Sequence, residues 1–195
     1  MTIPYQHITG ILLAGGASRR MGTDKSLLKF QNSTFIETSV QNLKKVVENI
    51  LIVANSKPYD YLNIPVVTDI IIDSGPLAGL HSGLTNSKTD LNLVVTNDMP
   101  LVDASFLVKL INVFDIKHDA LWCFSEGNDI PLLGIYKKSM ATTCERLLKN
   151  GEKRVLQLQN LSSIQKYKVE ATYVSCLQNI NTPEQYKQIS HGNHG

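Results

Sequence analysis

Five short apolar runs, separated by segments of helical period, constrain the fold of this 195-residue chain more than any other feature. Most of these runs do not alternate with polar residues, which is typical of parallel strands that are covered on both faces. Between them, apolar residues recur at helical spacing within 35–47 and within 106–114. We therefore expect one α/β domain, a three-layer α/β/α sandwich with right-handed crossovers and a mainly parallel sheet. The five predicted strands are 8–13, 50–53, 65–67, 91–95 and 120–124.

The pattern loosens after residue 125, but the sequence still predicts several elements. Thr182, with Gln185 three residues later, forms a capping-box signature for a last helix. A chain of this length fits one domain, which we place at 1–190, followed by a loose tail at 191–195. The other expected elements are a turn at 125–129, a strand at 131–136, a helix at 139–148 and a strand at 173–177.

Composition and charge exclude several classes of protein. Nineteen Lys and Arg against seventeen Asp and Glu leave a net charge of +2, without a block of five like charges. This small excess gives no general basic surface for a nucleic-acid backbone. The chain also lacks a run of about 18 apolar residues, so we expect no membrane segment. Its three cysteines show no disulfide or zinc spacing, and we expect reduced thiols in a cytoplasmic protein.

A glycine-rich basic loop follows the first predicted strand. It reads AGGASRRMGTDK over 14–25 and brings together three cations, Arg19, Arg20 and Lys25. Small residues at the carboxyl end of a strand let backbone N–H groups approach a phosphate closely. The loop therefore predicts a polyphosphate site. The alternative is a glycine-rich turn with a solvated basic rim.

Two common phosphate-binding motifs do not fit this loop. The P-loop needs four residues between its glycines and a Lys directly after the second one. Here Gly16 and Gly22 are separated by five residues, and Thr23 and Asp24 precede Lys25. The dinucleotide motif G-x-G-x-x-G is also absent. Both observations argue against kinase-type and dehydrogenase-type sites.

Two aspartates follow later strands and should lie at the same edge of the sheet. Asp98 ends the strand before Pro100, where a carboxylate near phosphates can hold Mg²⁺; alternatively, it caps a turn. Asp69 follows a short strand and precedes a Gly-Pro helix start, whose amides could bind an anion. Asp103 is expected to cap the helix that follows it, and Asp73 or Ser74 to cap the helix at Gly75. These three residues are therefore expected to stabilise helix starts rather than to bind a ligand.

The sequence shows no constellation for a covalent nucleophile. A G-x-S-x-G elbow and an H-E-x-x-H motif are both absent, and Cys123 and Cys176 lie in apolar contexts typical of buried, inert thiols. His81 is expected on one side of a helix. Cations and a metal without a nucleophile favour direct phosphoryl or nucleotidyl transfer.

The motifs together resemble the nucleotidyltransferases with a Rossmann-like, glycosyltransferase-A-like fold, and among them the molybdenum cofactor guanylyltransferase family. The segment LAGGASRRMGTDK over 13–25 is similar to the signature LAGGxSxRMGxDK. The resemblance spans 8–189. Its further matches are Asp69 with GPLAG at 75–79, NDMP at 97–100, PLLGIY at 131–136, GEKR at 151–154 and NINTPE at 179–184.

The resemblance implies a reaction and a set of nucleotide contacts. GTP is the donor, the terminal phosphate of molybdopterin or its molybdenum-bound form is the acceptor, and pyrophosphate is released as the guanine dinucleotide cofactor forms. Lys25 contacts phosphate, and Arg20 neutralises the leaving pyrophosphate. Asp69 contacts GTP. The backbone groups of Leu13, Ala14 and Gly15 complete the implied nucleotide contacts.

The resemblance also implies a metal and an acceptor region. Asp98 holds Mg²⁺, and Asn181 helps to hold the metal. Arg154 and Asn181 lie nearer the acceptor. Transient contacts with cofactor-delivery proteins and molybdoenzymes are expected as well.

The sequence departs from the family at the end of the second strand. Some members carry an Asn there that contacts the guanosine, whereas this chain has Val53, with Asn55 two residues on as the substitute GTP contact. Base selection is therefore less certain than phosphate binding, and two alternatives stay open, of which the first concerns the base and the second is a separate class of hypothesis. The first is a cytidylyl- or uridylyltransferase that acts on molybdopterin or a sugar phosphate. The second is a noncatalytic nucleotide-binding partner of molybdoenzyme maturation, which the intact Lys25 and Asp98 argue against.

Overall fold

Seven strands form the central sheet of the computed structural model, which describes residues 7–15, 28–30, 32–55, 59–180, 182 and 184–187. The sheet consists of β1 (Ile8–Leu13), β4 (Asn49–Val53), β5 (Val66–Val67), β6 (Leu91–Thr96), β7 (Ala120–Ser125), β8 (Asn128–Lys137) and β9 (Ile164–Lys168). A separate small hairpin pairs β2 (Lys29–Phe30) with β3 (Ser33–Thr34). The helices are α1 (Phe35–Lys44), α2 (Gly75–Asn86), α3 (Ala104–Val113), α4 (Met140–Lys149) and α5 (Ala171–Val174).

The strand order is β5-β4-β1-β6-β8-β7-β9, and β8 alone runs antiparallel to its neighbours in this sheet. The chain moves outward from β1 through β4 to β5 and then returns to add β6 on the other side of β1. The order therefore reverses at β1, and such a switch point is where open α/β sheets bind ligands. The predicted mainly parallel α/β fold is confirmed.

Helices cover both faces of the sheet, which explains why its central strands are apolar without alternation. In β1, Leu12 belongs to the core cluster under α1 and α3, whereas Ile11 and Leu13 belong to the cluster under α2 and α4. Successive side chains of β1 point to opposite faces of the sheet, and both faces are buried, so the strand shows no alternation of apolar and polar residues. Within the described residues, no helix is long and apolar enough to span a membrane.

Side-chain caps fix three helix starts. Thr34 and Glu37 form a capping box at α1, through bonds of 2.7 and 3.3 Å. Asp103 accepts from the Phe106 amide at 2.9 Å, as predicted. The predicted box of Thr182 and Gln185 is also confirmed, with bonds of 3.0 and 3.3 Å ahead of the helical residues 184–187.

The predicted strand at 173–177 is wrong. These residues continue α5 into a 3-10 turn, Ser175–Leu177. Tyr173, Cys176 and Leu177 are spaced by three and four residues, and all three pack against the core cluster under α3. A five-residue apolar run cannot distinguish that helical spacing from a strand. The last strand is instead β9, whose sequence IQKYK is too polar to be recognised as one.

Candidate active site

The carboxyl ends of four parallel strands form one polar edge of the sheet. The chain leaves β1 at Ala14, β4 at Ala54 and β6 at Asn97. The Ala14 amide donates to Val53 O at 2.9 Å, the Ala54 amide to Val67 O at 2.9 Å, and the Asn97 amide to Leu13 O at 3.2 Å. These bonds hold the strand ends at one level, and they bring the residues that follow β1, β4, β5 and β6 to a single edge.

Gly15 lies exposed at the end of β1. A Cβ atom at this position would have one neighbour within 4 Å outside 14–16, the Val53 carbonyl oxygen at 4.0 Å, counting the described residues alone. Packing among those residues therefore does not require a glycine here. Among the described residues the space above this backbone is open, as a ligand that approaches the main chain needs. The buried side chain of Leu13 and the half-buried Ala14 anchor the backbone below it.

Asp69 is held in place by neighbours from two elements. The Asn55 side-chain amide donates to Asp69 Oδ2 at 2.8 Å, and the Asp69 backbone N–H donates to Asn55 Oδ1 at 3.0 Å. The next amide, of Ile70, donates to the buried hydroxyl of Ser82 on α2 at 2.8 Å. A Cβ atom at Gly79 would lie 3.7 Å from Asp69 Oδ1, so α2 passes closely over the carboxylate.

Asp98 follows β6 and is fixed through both its side chain and its backbone. The Thr96 hydroxyl donates to Asp98 Oδ1 at 2.5 Å. The Ile180 amide donates to the Asp98 carbonyl oxygen at 2.8 Å. Ile180 packs with Phe35 at the start of α1, and thereby the C-terminal segment returns to this edge of the sheet.

Arg154 belongs to a loop that is tied to the beginning of α2. Its guanidinium donates from Nε and Nη2 to the two carboxylate oxygens of Glu152, at 2.9 and 2.7 Å. These bonds, with the Arg154 and Lys153 amides, lower the pKa of Glu152 to about 2. Lys153 Nζ donates to Asp73 O at 2.8 Å, just before α2 begins. The Cβ atom of Lys153 lies 3.5 Å from where a Cβ at Gly75 would be, and Gly75 has a φ of +68°.

The expected cap of α2 is not formed by Ser74. Ser74 directly precedes the helix but donates instead to Ile72 O at 3.1 Å, and it makes no cap bond. The backbone explains this, because Ser74 has φ −107° and ψ 21°, outside the extended region in which a side chain reaches the first-turn amides. Pro76 lies in the first turn, as predicted.

The thiols do not supply a nucleophile. Burial raises the pKa of Cys123 and raises that of Cys144 to about 12. The half-buried Cys176 has a pKa raised to about 11, again mainly by burial. Thiols with raised pKa values are weak nucleophiles at neutral pH.

The structure brings together the predicted residues Leu13, Ala14, Gly15, Asn55, Asp69 and Asp98 at the edge described above. Arg154 lies beside them, across the start of α2. Arg20, Lys25 and Asn181 lie outside the described residues, as does the tail at 191–195. Sequence reasoning missed Ser82 and Thr96, which support the two aspartates. A helical Ser carries no signal for such a role, whereas Thr96, two residues before Asp98, could have been recognised from its spacing.

This fold and this edge define a doubly wound α/β protein with a ligand site at its switch point. Comparison with protein families gives a narrower assignment, because residues 10–166 match the family described as the MobA-like NTP transferase domain. The chain belongs to that family, and it is therefore a nucleotidyltransferase.

Related sequences and structures agree with this membership. The chain is 31% identical to a probable molybdenum cofactor guanylyltransferase of Flavobacterium johnsoniae, over 94% of this chain and 96% of that protein. It is 32% identical to a probable molybdenum cofactor guanylyltransferase of Clostridium perfringens, over 91% and 93%. The crystal structure of molybdopterin-guanine dinucleotide biosynthesis protein A from Archaeoglobus fulgidus has the same fold, with a TM-score of 0.81 and 24% identity over 93% and 96% of the two chains.

Proposed function

We propose that this protein transfers GMP from GTP to the terminal phosphate of molybdopterin, or of its molybdenum-bound form, and so makes the guanine dinucleotide cofactor. The observation that carries the proposal is the convergence of Gly15, Asp69 and Asp98 at one sheet edge. The family and the names of the relatives at 31% and 32% identity support the choice of guanylyl transfer.

The proposed reaction is one direct displacement. An oxygen of the acceptor's terminal phosphate attacks the α-phosphorus of GTP and forms a new O–P bond. The bond from the α-phosphorus to the bridging oxygen breaks, and pyrophosphate leaves with that electron pair. Because there is no covalent enzyme intermediate, catalysis comes from positioning and charge neutralisation.

Each part of the edge has a role in that displacement. The backbone at Leu13, Ala14 and Gly15, of which Gly15 is exposed, binds the nucleotide, and Asp69 accepts a hydrogen bond from it. Lys25 and Arg20 neutralise the phosphates and the leaving pyrophosphate. These two cations are assigned from the sequence, since they lie outside the described residues.

The residues present fit a divalent metal such as Mg²⁺. Thr96 occupies Asp98 Oδ1, and Asp98 Oδ2 has no hydrogen-bond partner within the part of the chain that the structure describes. Mg²⁺ in phosphate-transfer sites is held by one or two carboxylates together with substrate phosphates and water. We propose Asp98, with Asn181, as its protein ligands. When bound, the ion neutralises negative charge on the phosphates of GTP. A structure of Rv0371c from Mycobacterium tuberculosis, described as a complex with manganese, shares the fold at a TM-score of 0.68 and 14% identity.

On the acceptor side we propose Arg154 and Asn181. The Glu152 carboxylate already pairs with the Arg154 guanidinium, but the Arg154 side chain remains 70% exposed, so it can also meet an anionic ligand. Lys153 fixes the loop against α2. We also propose transient contacts with cofactor-delivery proteins and molybdoenzymes, and action in the cytoplasm, where free thiols such as those of this chain stay reduced.

Cytidylyl or uridylyl transfer is the second candidate, and one observation favours it. Some family members contact guanosine through an Asn side chain at this position. Here the residue is Val53, which has no side-chain amide and is buried in the core cluster under α2. The fold does not discriminate. A 4-diphosphocytidyl-2C-methyl-D-erythritol synthase from Anaerococcus prevotii shares it at a TM-score of 0.75 and 14% identity.

A nucleotide panel tests the proposal. We expect GTP with Mg²⁺ to raise the melting temperature and CTP, UTP and ATP to leave it unchanged. Equal shifts with CTP would refute guanylyl specificity. Pyrophosphate release in the presence of molybdopterin tests catalysis; a folded protein that binds GTP but releases none would be the noncatalytic binding partner.

A further inference from the structure

Asn55 and Asp69 form a two-point contact that uses the whole side-chain amide of Asn55. Its Nδ2 donates to Asp69 Oδ2 at 2.8 Å, while its Oδ1 accepts from the Asp69 backbone N–H at 3.0 Å. A backbone N–H can only donate and an ionised carboxylate can only accept. These partners therefore fix the orientation of the amide without ambiguity.

The contact connects two strands at the edge where the nucleotide is proposed to bind. Asn55 follows β4 and Asp69 follows β5, 14 residues later. On the other side of Asp69, the hydroxyl of Ser82 accepts from the Ile70 amide at 2.8 Å. The position of Asp69 is thus fixed by Asn55, which follows β4, and by Ser82 on α2, which holds the next residue, Ile70.

One oxygen of Asp69 remains for a ligand. Asn55 occupies Oδ2, and Oδ1 has no hydrogen-bond partner among the residues that the structure describes. The helix lying over Oδ1 has no side chain at that point, because Gly79 is the residue there and a Cβ on it would lie 3.7 Å away. The carboxylate therefore presents a single, directed acceptor.

We propose that Asn55 is a positioning residue, which aims Asp69 Oδ1 at a hydrogen-bond donor of the nucleotide and does not itself bind the nucleotide. This inference rests on the proposed function, since it takes GTP as the ligand. It replaces the expectation that Asn55 substitutes for the missing amide at Val53 by contacting guanosine. The two roles differ in a measurable way, because a positioning residue acts through Asp69.

A double-mutant cycle on GTP affinity separates the two roles. We expect Asn55→Ala and Asp69→Ala each to raise the Kd for GTP by about tenfold, the usual effect of losing an oriented hydrogen bond. The double variant should then bind no more weakly than Asp69→Ala, because Asn55 has nothing left to position. If the two effects multiply to about a hundredfold, Asn55 contacts the nucleotide independently and the inference is wrong.

An isosteric variant adds a readout that a purely structural role would not change. Asn55→Asp keeps the acceptor for the Asp69 amide but sets a second carboxylate against Asp69 Oδ2. Two adjacent carboxylates share a proton at low pH, and this restores an O–H donor between them. Relative to the unmodified protein at each pH, the Kd for GTP should be raised at pH 7.5 and recover towards the unmodified value at pH 5.5. The Asn55→Ala ratio should stay flat.

Asn160→Asp is the matched control. Asn160 is exposed, its side-chain amide donates to Gln157 Oε1 at 2.8 Å, and it ends the 3-10 helix Val155–Asn160, so the variant makes the same charge change away from the pair of Asn55 and Asp69. Its Kd ratio should stay near one at both pH values. A flat ratio for Asn55→Asp would overturn the inference while leaving the proposed function intact. If the unmodified protein does not bind GTP, the proposed function itself has failed, and the inference fails with it.

Discussion

Replacing Gly15 by Ala should weaken nucleotide binding without harming the fold. Gly15 does not have a positive φ, so its backbone conformation suits alanine. The nearest described atom outside 14–16 would be the Val53 carbonyl oxygen, 4.0 Å from the new Cβ, which is ordinary van der Waals contact. Where the folded backbone is not strained, a Gly→Ala change stabilises the folded protein by about 0.4–1 kcal/mol, because it lowers the conformational entropy of the unfolded chain.

The two effects of this substitution should therefore separate. For a chain of this size, 1 kcal/mol corresponds to about 2–4 °C, so the melting temperature should stay the same or rise by that amount. The affinity for GTP should fall at least about tenfold, because the new methyl group occupies the space through which a phosphate reaches the backbone. Differential scanning calorimetry and isothermal titration with GTP measure the two quantities on one sample.

Gly134→Ala is the control with the opposite expectation. A Cβ at Gly134 would lie 1.9 Å from the Leu121 carbonyl oxygen, a backbone atom that no side-chain rotation can move. The β7–β8 pairing must yield, at a cost of about 3 kcal/mol or more. If Gly15→Ala bound GTP within twofold of the unmodified protein, or lost stability as Gly134→Ala should, the open space at Gly15 would have no role in nucleotide binding.

Three further predictions concern other parts of the molecule. Asp98→Ala should lose most metal-dependent turnover, while its melting temperature falls by only a few degrees, about the effect of losing the one side-chain hydrogen bond from Thr96, as pyrophosphate release and calorimetry would report. Burial lowers the pKa of His81, with Glu145 opposing and Lys149 reinforcing the shift, so the unfolded chain binds the proton more readily. Stability should therefore fall as the pH drops below about 6.5, and His81→Leu should reduce that slope in urea unfolding between pH 5 and 7.5. The carboxyl group of Glu152 should titrate near pH 2 by NMR and return towards its ordinary pKa in Arg154→Ala; an unchanged value would contradict the bidentate pair.

The sequence predicted the sheet well because its strands are short, apolar and buried on both faces. Runs such as 91–95 differ from the observed β6 by one residue. The strand prediction failed in the C-terminal part, where β9 is only partly buried and the run at 173–177 is helical. The apolar run at 173–177 packs as a helical turn against Phe106, whose ring centroid lies 5.0 Å from that of Tyr173. Such a contact depends on a helix more than 60 residues earlier, which no local pattern contains.

The candidate site shows the same division between local and distant information. Asp69 and Asp98 could be placed at one edge, because each comes two residues after the end of a strand and parallel strands end together. Of their supporting residues, Ser82 could not be placed in this way, since it lies on the far side of a turn and contacts Ile70 only after α2 packs on the sheet. The acids of such a site, and a local partner such as Thr96, can be predicted from strand ends, whereas a distant partner such as Ser82 emerges only from tertiary packing.

The packing of α2 on β4 bears on the proposed selection of the base. A Cβ at Gly83 would lie 2.6 Å from Ile11 Cγ2 and 3.2 Å from Val53 Cγ2, so the glycine lets the helix approach until it covers the side chain of Val53. An amide at position 53 would be buried against that helix face and would need a partner there. The valine is therefore part of the packing in this chain, and any selection of guanine must come from the exposed groups around it. We therefore expect the proposed contacts of Asp69 Oδ1 and of the backbone of Ala14 and Gly15 to determine the outcome of the nucleotide panel.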